Sequence, residues 1–415
     1  MRLADVLHQE RAISILRRAL RNGRAHHAYL FDGPEGVGKE RTAIALAARL
    51  LCETPDLPPD ADACGACRSC ALLAGDNHPD FHLIHRGLHK LHPDRNVRAT
   101  KGLFLTVDVI RHFLIAPASA SPAMGRRRVF VIRDAERMNE EAQNALLKTL
   151  EEPPGAACLM LLSSSASRLL ATIRSRCQRI PFGLLPVEFV SQRLVAQARI
   201  DAPAAQTLAR LSDGRLGAAL RWQRASLLDA LSAIAERVVA DPADDPEAFG
   251  KSLLAIAGEL GTRLAEIGER ADDAARGESG RRRGEPDPGR AGAAPSVPDE
   301  DDGGAPESAE REAGDRDARD VPTDQLRDGL RLVFAAVAAL LRDALLAQIR
   351  VAAPRGLPAF SASADTLARA YDAERLEAAI ESVVGAERMI DRNVAAQLAC
   401  EQIALGLAGV EAIAE

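Results

Sequence analysis

A chain of 415 residues, 47% of them apolar, is long enough for two or three domains with buried cores, and its net charge of −6 is small for that length. The longest uncharged apolar run, Leu332 to Leu341, is far too short to cross a bilayer, and the start, Met1-Arg2-Leu3-Ala4-Asp5, lacks a signal-peptide core, so a soluble cytoplasmic protein is expected. Arginine outnumbers lysine 48 to 5, which makes the lysines that fall inside motifs, Lys39 and Lys148, stand out.

Leu3 to Asn22 reads as an amphipathic helical region, with Ile13, Ile15, Leu16 and Leu20 set among arginines. His26-His27-Ala28-Tyr29-Leu30-Phe31 begins a strand that feeds Gly33-Pro34-Glu35-Gly36-Val37-Gly38-Lys39-Glu40 and then a helical run from Arg41 to Leu51. This is the pattern of a phosphate-binding P-loop. Gly33, Gly36 and Gly38 let the backbone curl until its N–H groups converge on phosphate oxygens at a helix N-terminus, and Lys39 supplies a point charge. The last position departs from the pattern: a Ser or Thr hydroxyl there ligates magnesium, and here Glu40 stands instead. A carboxylate can reach a metal but adds negative charge beside a triphosphate. ATP binding is therefore expected and efficient hydrolysis is not; the plainer alternative is a glycine turn that only joins strand to helix.

Cys52, Cys64, Cys67 and Cys70 follow at C-x11-C-x2-C-x2-C spacing. In a cytosolic chain, thiols this dense point to a metal rather than to disulfides, and four thiolates suit tetrahedral zinc with no open position, hence a structural site. Cys158, Cys177 and Cys400 lie in apolar segments and read as buried packing residues. The run His78, His82, His85, His89 and His92 has no accompanying carboxylate or cysteine pattern, so these read as surface or loop histidines rather than a second metal site. Thr106 caps a restarting helix, and Pro117 to Pro122 reads as a loop.

Val129-Phe130-Val131-Ile132 is a short apolar strand of the kind buried on both faces. A helix follows, with Asn139 as N-cap, Glu140 and Glu141 in its first turn, and Ala142, Leu146, Leu147 and Leu150 at helical spacing up to Pro153-Pro154. A second strand, Cys158 to Leu162, runs into Ser163-Ser164-Ser165, and a short helix leads to Ser175-Arg176-Cys177. Strand, helix, strand, helix is a parallel α/β signature.

Asn144-Ala145-Leu146-Leu147-Lys148-Thr149-Leu150-Glu151-Glu152-Pro153-Pro154 followed by Ser175-Arg176-Cys177 resembles the signature of bacterial clamp-loader AAA+ subunits of DNA polymerase III. A weaker likeness extends over most of residues 1 to 225. Two branches carry the signature, the ATP-hydrolysing gamma/tau motor and the delta-prime stator. The resemblance implies an N-terminal helix packed over the nucleotide base, a zinc module at the cysteine cluster, and an arginine, Arg176, that projects across a subunit interface onto a neighbour's γ-phosphate. It also implies gamma/tau and delta subunits, the sliding clamp and, through the assembled complex, primed DNA as partners. An active member ends its second strand in an Asp that holds magnesium and a Glu that orients water. Counting back from Asn144, those places hold Arg133 and Asp134, and an arginine cannot coordinate magnesium. Ser163 and Ser164 keep the polar sensor positions. Gly214-Arg215-Leu216-Gly217-Ala218-Ala219-Leu220 resembles the lid motif, with Gly217 where an arginine would touch the γ-phosphate. Departures at Glu40, Arg133 and Gly217 favour the stator branch over the motor.

The expected architecture is an α/β P-loop AAA+ domain over 1–181 with an inserted zinc module at 52–70, a small helical lid over 182–224, and an all-α collar over 225–415. From Ala271 to Val321 there is no Leu, Ile, Phe, Tyr or Trp, and 15 acidic against 8 basic residues give a net −7, so a disordered insertion is expected there. That segment accounts for the chain's acidity and leaves the remainder near +1, too neutral for a broad nucleic-acid footprint. Amphipathic helices resume at Leu326 to Ile349 and again from Leu367 to Leu407.

Overall fold

The computed structural model describes residues 2–55, 57–100, 102–124, 127–240, 245–280, 322–351 and 353–408, and for 269 and 271–280 the backbone alone. Five strands, β1 (Ala28–Asp32), β2 (Phe81–Ile84), β3 (Arg128–Ile132), β4 (Ala157–Ser163) and β5 (Gln178–Pro181), form one sheet in the order β2-β3-β4-β1-β5. Every pairing is parallel.

Alternation along the strands divides their side chains between two buried layers, as period-two geometry requires. Tyr29, Phe31, Val129, Val131, Met160 and Leu162 enter one core with the helices Glu10–Arg21 and Lys39–Leu51. Leu30, Phe130, Ile132, Leu159 and Leu161 enter the other with Val109, Leu114 and the helix Glu140–Glu151. With both faces covered, the three central strands β1, β3 and β4 read as apolar runs, whereas the edge strands β2 (Phe81-His82-Leu83-Ile84) and β5 (Gln178-Arg179-Ile180-Pro181) carry polar residues. The expected strands β1, β3 and β4 and the helices after β1 and β3 lie within a residue or two of those observed. The first helix, however, begins only at Glu10 after a 3-10 turn at Leu3–Asp5, and the edge strands β2 and β5 are not among the expected elements. Asn139 caps its helix through a bond from the Ala142 N–H, at 3.0 Å. Two local expectations need correction. Thr106 stands at an N-cap position, but its hydroxyl makes no cap bond. Pro117 is not in a loop: it sits in the last turn of the continuous helical run 107–118, directly after the π-turn Arg111–Ile115, where the backbone accommodates a residue that cannot donate a helical hydrogen bond.

Beyond the sheet the described residues are largely helical. Val187–Ala198, Ala202–Leu211 and Leu216–Arg224 occupy the span expected for a lid. Leu227–Val239, Pro246–Gly280, Thr323–Gln348, Ser361–Ala370, Ala373–Asp391 and Ala396–Ala408 follow. A single apolar cluster runs through all of these from Leu185 to Leu407, so the packing has no gap near residue 225. The helices 246–280 and 323–348 approach closely at Gly261 and Gly329, where a Cβ on Gly329 would lie 1.9 Å from the Ala257 carbonyl oxygen. Helix 246–280 continues through Gly280, ten residues into the span expected to be disordered. Glu269, Arg270, Ala271, Ala274, Ala275 and Arg276 favour helix, and extending an existing helix avoids the cost of nucleation. The rest of that span, 281–321, lies outside the described residues. Among the described residues no helix is long and apolar enough to cross a membrane.

Candidate nucleotide loop, cysteine cluster and arginine cleft

In a parallel sheet, ligands bind at the carboxyl ends of the strands. The loop after β1, Arg133 and Asp134 after β3, and Ser164 after β4 all lie at that edge. Gly36 (φ 78°) and Gly38 (φ 104°) adopt the left-handed conformations that give the loop its curl, and Gly38 stands at the N-cap of helix 39–51. Gly33 packs so tightly that a Cβ would lie 2.3 Å from the Phe182 carbonyl oxygen. Lys39 is buried, and its ammonium donates to the carbonyls of Gly33 (2.5 Å) and Pro34 (2.7 Å), within its own loop. Burial lowers its pKa, against the raising influence of Glu136, Glu35, Asp134 and Asp32.

Glu40 and Arg133 meet. The Arg133 Nε donates to Glu40 Oε2 at 2.9 Å and its Nη2 to Oε1 at 2.6 Å, a bidentate pair between residues 93 apart in sequence. The two positions to which the resemblance assigns magnesium in active members thus hold each other in this chain. The carboxylate that might have reached a metal is engaged by the guanidinium. Asp134 adopts a left-handed conformation (φ 51°), and burial, with Glu35 and Glu136 nearby, raises its pKa. Burial alone would raise the Glu136 pKa too, but hydrogen bonds from Ser164 and Ser163 outweigh it and leave the carboxyl below its ordinary value. The Ser164 N–H donates to Glu136 at 3.1 Å, and its hydroxyl bonds the same oxygen.

Gly217, in the lid span, lies directly on the loop. Its N–H donates to the Gly36 carbonyl at 2.9 Å, and a Cβ on Gly217 would stand 2.8 Å from Gly36 Cα. Gly214 (φ 74°) makes a similar approach, its Cβ position being 2.2 Å from the Leu185 carbonyl oxygen. Arg221 reaches back to Glu35 at 2.9 Å. Buried Gln9 closes the other side, donating to the carbonyls of Val37 (3.3 Å) and Gly183 (2.8 Å) and accepting from the Gly183 N–H. Sequence reasoning found Glu40, Arg133 and Gly217 one at a time. Their mutual contacts had one legible signal, an opposite-charge exchange at two positions that share a metal. Gln9 gave none.

The four cysteines converge. Their sulfurs all lie within 4.8 Å of one another, with Cys52 to Cys67 and Cys64 to Cys70 each 3.9 Å apart. A tetrahedral ion with metal–sulfur bonds of about 2.3 Å sets its sulfurs about 3.8 Å apart, so these residues fit such a group. The N–H groups of Ala66 and Cys67 point at the Cys64 sulfur, at 3.4 and 3.2 Å. A hydrogen bond from the Thr54 side chain and those two backbone donors lower the Cys64 pKa to about 6, whereas burial pushes Cys70 up to about 12. Cys158, Cys177 and Cys400 are buried in apolar cores, as expected. The histidine run is not at the surface. His78, His85, His89 and His92 are buried; His78 bonds Ser69 at 2.8 Å, His89 the Arg86 carbonyl at 2.8 Å, and the His92 ring accepts from the Asp94 N–H and packs edge-on against His112. His82 stacks on Phe130. Among the described residues the four cysteines are the only such group able to hold a metal.

Arg176 ends the helix Ala171–Arg176, just before β5 begins. Because Tyr29 pairs with Gln178, Arg176 sits at the amino end of β1, beside His26 and His27, and the P-loop sits at the other end. Six residues of extended strand separate His27 from Gly33, roughly 20 Å. Arg176 therefore lies at the opposite end of the sheet from its own chain's loop. It lines an open cleft of about 550 Å³ with His26, His27, Leu150, Glu151 and Ser175.

Residues 8–185 match the family described as "DNA polymerase III, delta subunit". Among curated relatives, a DNA polymerase III subunit delta' from Pseudomonas aeruginosa is 38% identical over 231 residues, 52% of this chain and 65% of that protein. A subunit delta' from Bacillus subtilis is 34% identical, covering 46% of this chain and 52% of that one. A DNA polymerase III subunit tau from Salmonella typhimurium is 34% identical over 52% of this chain and 32% of its own length. The matches thus span less than two thirds of each of these relatives.

Proposed function

We propose that the chain is a delta-prime subunit of a DNA polymerase III clamp loader and a non-hydrolysing stator of it, a reading supported by the family match over residues 8–185 and the likeness to subunits delta'. The observation that carries this reading is the Glu40–Arg133 ion pair, which removes both magnesium-holding positions at once. On this reading the loop's glycines and Lys39 remain able to bind ATP once Lys39 exchanges its carbonyl partners for phosphate oxygens, and turnover is what the pair abolishes. The motor alternative has the likeness to subunit tau in its favour, but it requires a carboxylate where Arg133 stands.

Arg176 is then the chain's contribution to catalysis. Placed away from its own loop, it acts in trans as an arginine finger on the γ-phosphate of ATP bound by a neighbouring gamma/tau subunit. The cysteine cluster holds a structural zinc, which when bound ties the end of helix 39–51 to the helix Arg68–Ala74 through Cys52, Cys64, Cys67 and Cys70. The expected division into P-loop domain, lid and collar follows, with the collar joining the chain to gamma/tau and delta. The assembled loader then places the sliding clamp on primed DNA in the cytoplasm. The test is co-purification with those subunits and the clamp, combined with steady-state ATP turnover by the isolated chain. Stable association without turnover is expected; turnover by the isolated chain would return the motor reading.

A further inference from the structure

The Arg176 guanidinium is engaged twice within its own chain. One nitrogen donates to the Thr172 carbonyl at 3.0 Å, and another lies 2.5 Å from a carboxylate oxygen of Glu151. Glu151 is the last residue of the helix Glu140–Glu151, where the negative end of the helix dipole disfavours an anion. Arg176 partly offsets that unfavourable placement. Both side chains stand at the rim of the cleft, 34% and 48% exposed, so the pair is cheap to open. A carboxylate and a phosphate offer a guanidinium the same paired acceptor oxygens, and the phosphate carries the greater charge.

We propose that Glu151 is a positioning residue that occupies, within the free subunit, the place of the phosphate Arg176 is to meet, holding the arginine against its own helix until a neighbour's nucleotide displaces the carboxylate. This rests on the trans-arginine reading above and adds to it the group that competes for the arginine. The cleft beside His26 and His27 supplies the room into which the phosphate enters. An exposed pair of this kind biases an equilibrium by no more than about fivefold, which bounds the effect of removing it.

The experiment is ATP hydrolysis by the loader reconstituted with the full chain, comparing the native protein with Glu151→Gln, Glu151→Asp, Arg176→Ala and the double variant Glu151→Gln/Arg176→Ala. Glu151→Gln should raise kcat/KM, by up to about fivefold, and Glu151→Asp should stay near the native value. Arg176→Ala should lower it, and the double variant should match Arg176→Ala alone, a non-additivity that a merely structural role would not produce. All four should melt close to the native temperature, since both positions are partly exposed. If Arg176→Ala lowers the rate while Glu151→Gln leaves it unchanged or lowers it, the competing role of Glu151 is wrong and the arginine finger stands. If Arg176→Ala has no effect, the trans reading fails and this inference falls with it.

Discussion

A bidentate arginine–carboxylate pair is a poor neighbour for magnesium, because the guanidinium repels the ion and holds the carboxylate that would ligate it. Glu40 and Arg133 are in that relation, so their separate oddities in sequence are one feature in space. Replacing Arg133 with Ala should cost about 1 kcal/mol in denaturant unfolding, the scale of a partly exposed pair. The double change Glu40→Thr/Arg133→Asp should do something neither single change does: make the thermal stabilisation by ATP depend on magnesium. In the native protein the ATP shift should be the same with magnesium or with chelator, and a large magnesium dependence there would contradict this reading of the pair. Gly217 offers a second residue-level check. A Cβ would stand 2.8 Å from Gly36 Cα, so Gly217→Ala should destabilise by about 1–3 kcal/mol through overpacking of two backbones that cannot separate cheaply.

Among the elements, the cysteine knuckle makes the sharpest prediction. Purified under reducing conditions, the chain should carry one zinc, and Cys67→Ser should release it and lower the melting temperature; elemental analysis finding no zinc would refute the site. Metal binding displaces protons from thiols, so affinity should fall with acid. With Cys64 lowered to about 6, that sulfur is largely ionised at pH 7.5, while Cys70, pushed up to about 12, still holds its proton. Calorimetry in buffers of different ionisation enthalpy should therefore count fewer than four protons released per zinc bound to the metal-free chain. The elements themselves were largely legible in sequence, for identifiable reasons. The central strands of a doubly covered parallel sheet are apolar runs, the Asn139 cap and the proline pair after Glu152 bracket a helix, and Cys-x2-Cys spacing needs only local geometry. The edge strands Phe81–Ile84 and Gln178–Pro181 mix polar with apolar residues and give no such signal. What stayed hidden were contacts between distant segments: Gln9 reaching Gly183, Gly217 on Gly36, and Arg176 on Glu151. The histidines misled because a ring with a hydrogen-bonding partner or an aromatic face to stack on can be buried as readily as an apolar side chain.

On the scale of the whole molecule, the chain holds a P-loop whose Glu40 and Arg133 pair with each other and an arginine roughly 20 Å away at the opposite sheet edge, the two features on which the proposed stator role rests. Helix 246–280 runs on from its contact with Gln325 at Gly261 for roughly 28 Å, so its far end is remote from the shared core. Replacing residues 281–321 with a Gly/Ser bridge of about twenty residues should therefore leave the melting temperature nearly unchanged, since stability depends only weakly on loop length. The central claim, that this subunit donates an arginine and does not turn over ATP itself, is tested most directly by ATP hydrolysis in the assembled loader with one substitution at a time. Arg176→Ala should leave the complex intact and reduce hydrolysis at the site it faces by orders of magnitude, while Lys39→Ala should change the rate little. Loss of activity on Lys39→Ala with full activity on Arg176→Ala would contradict the stator reading and restore the motor.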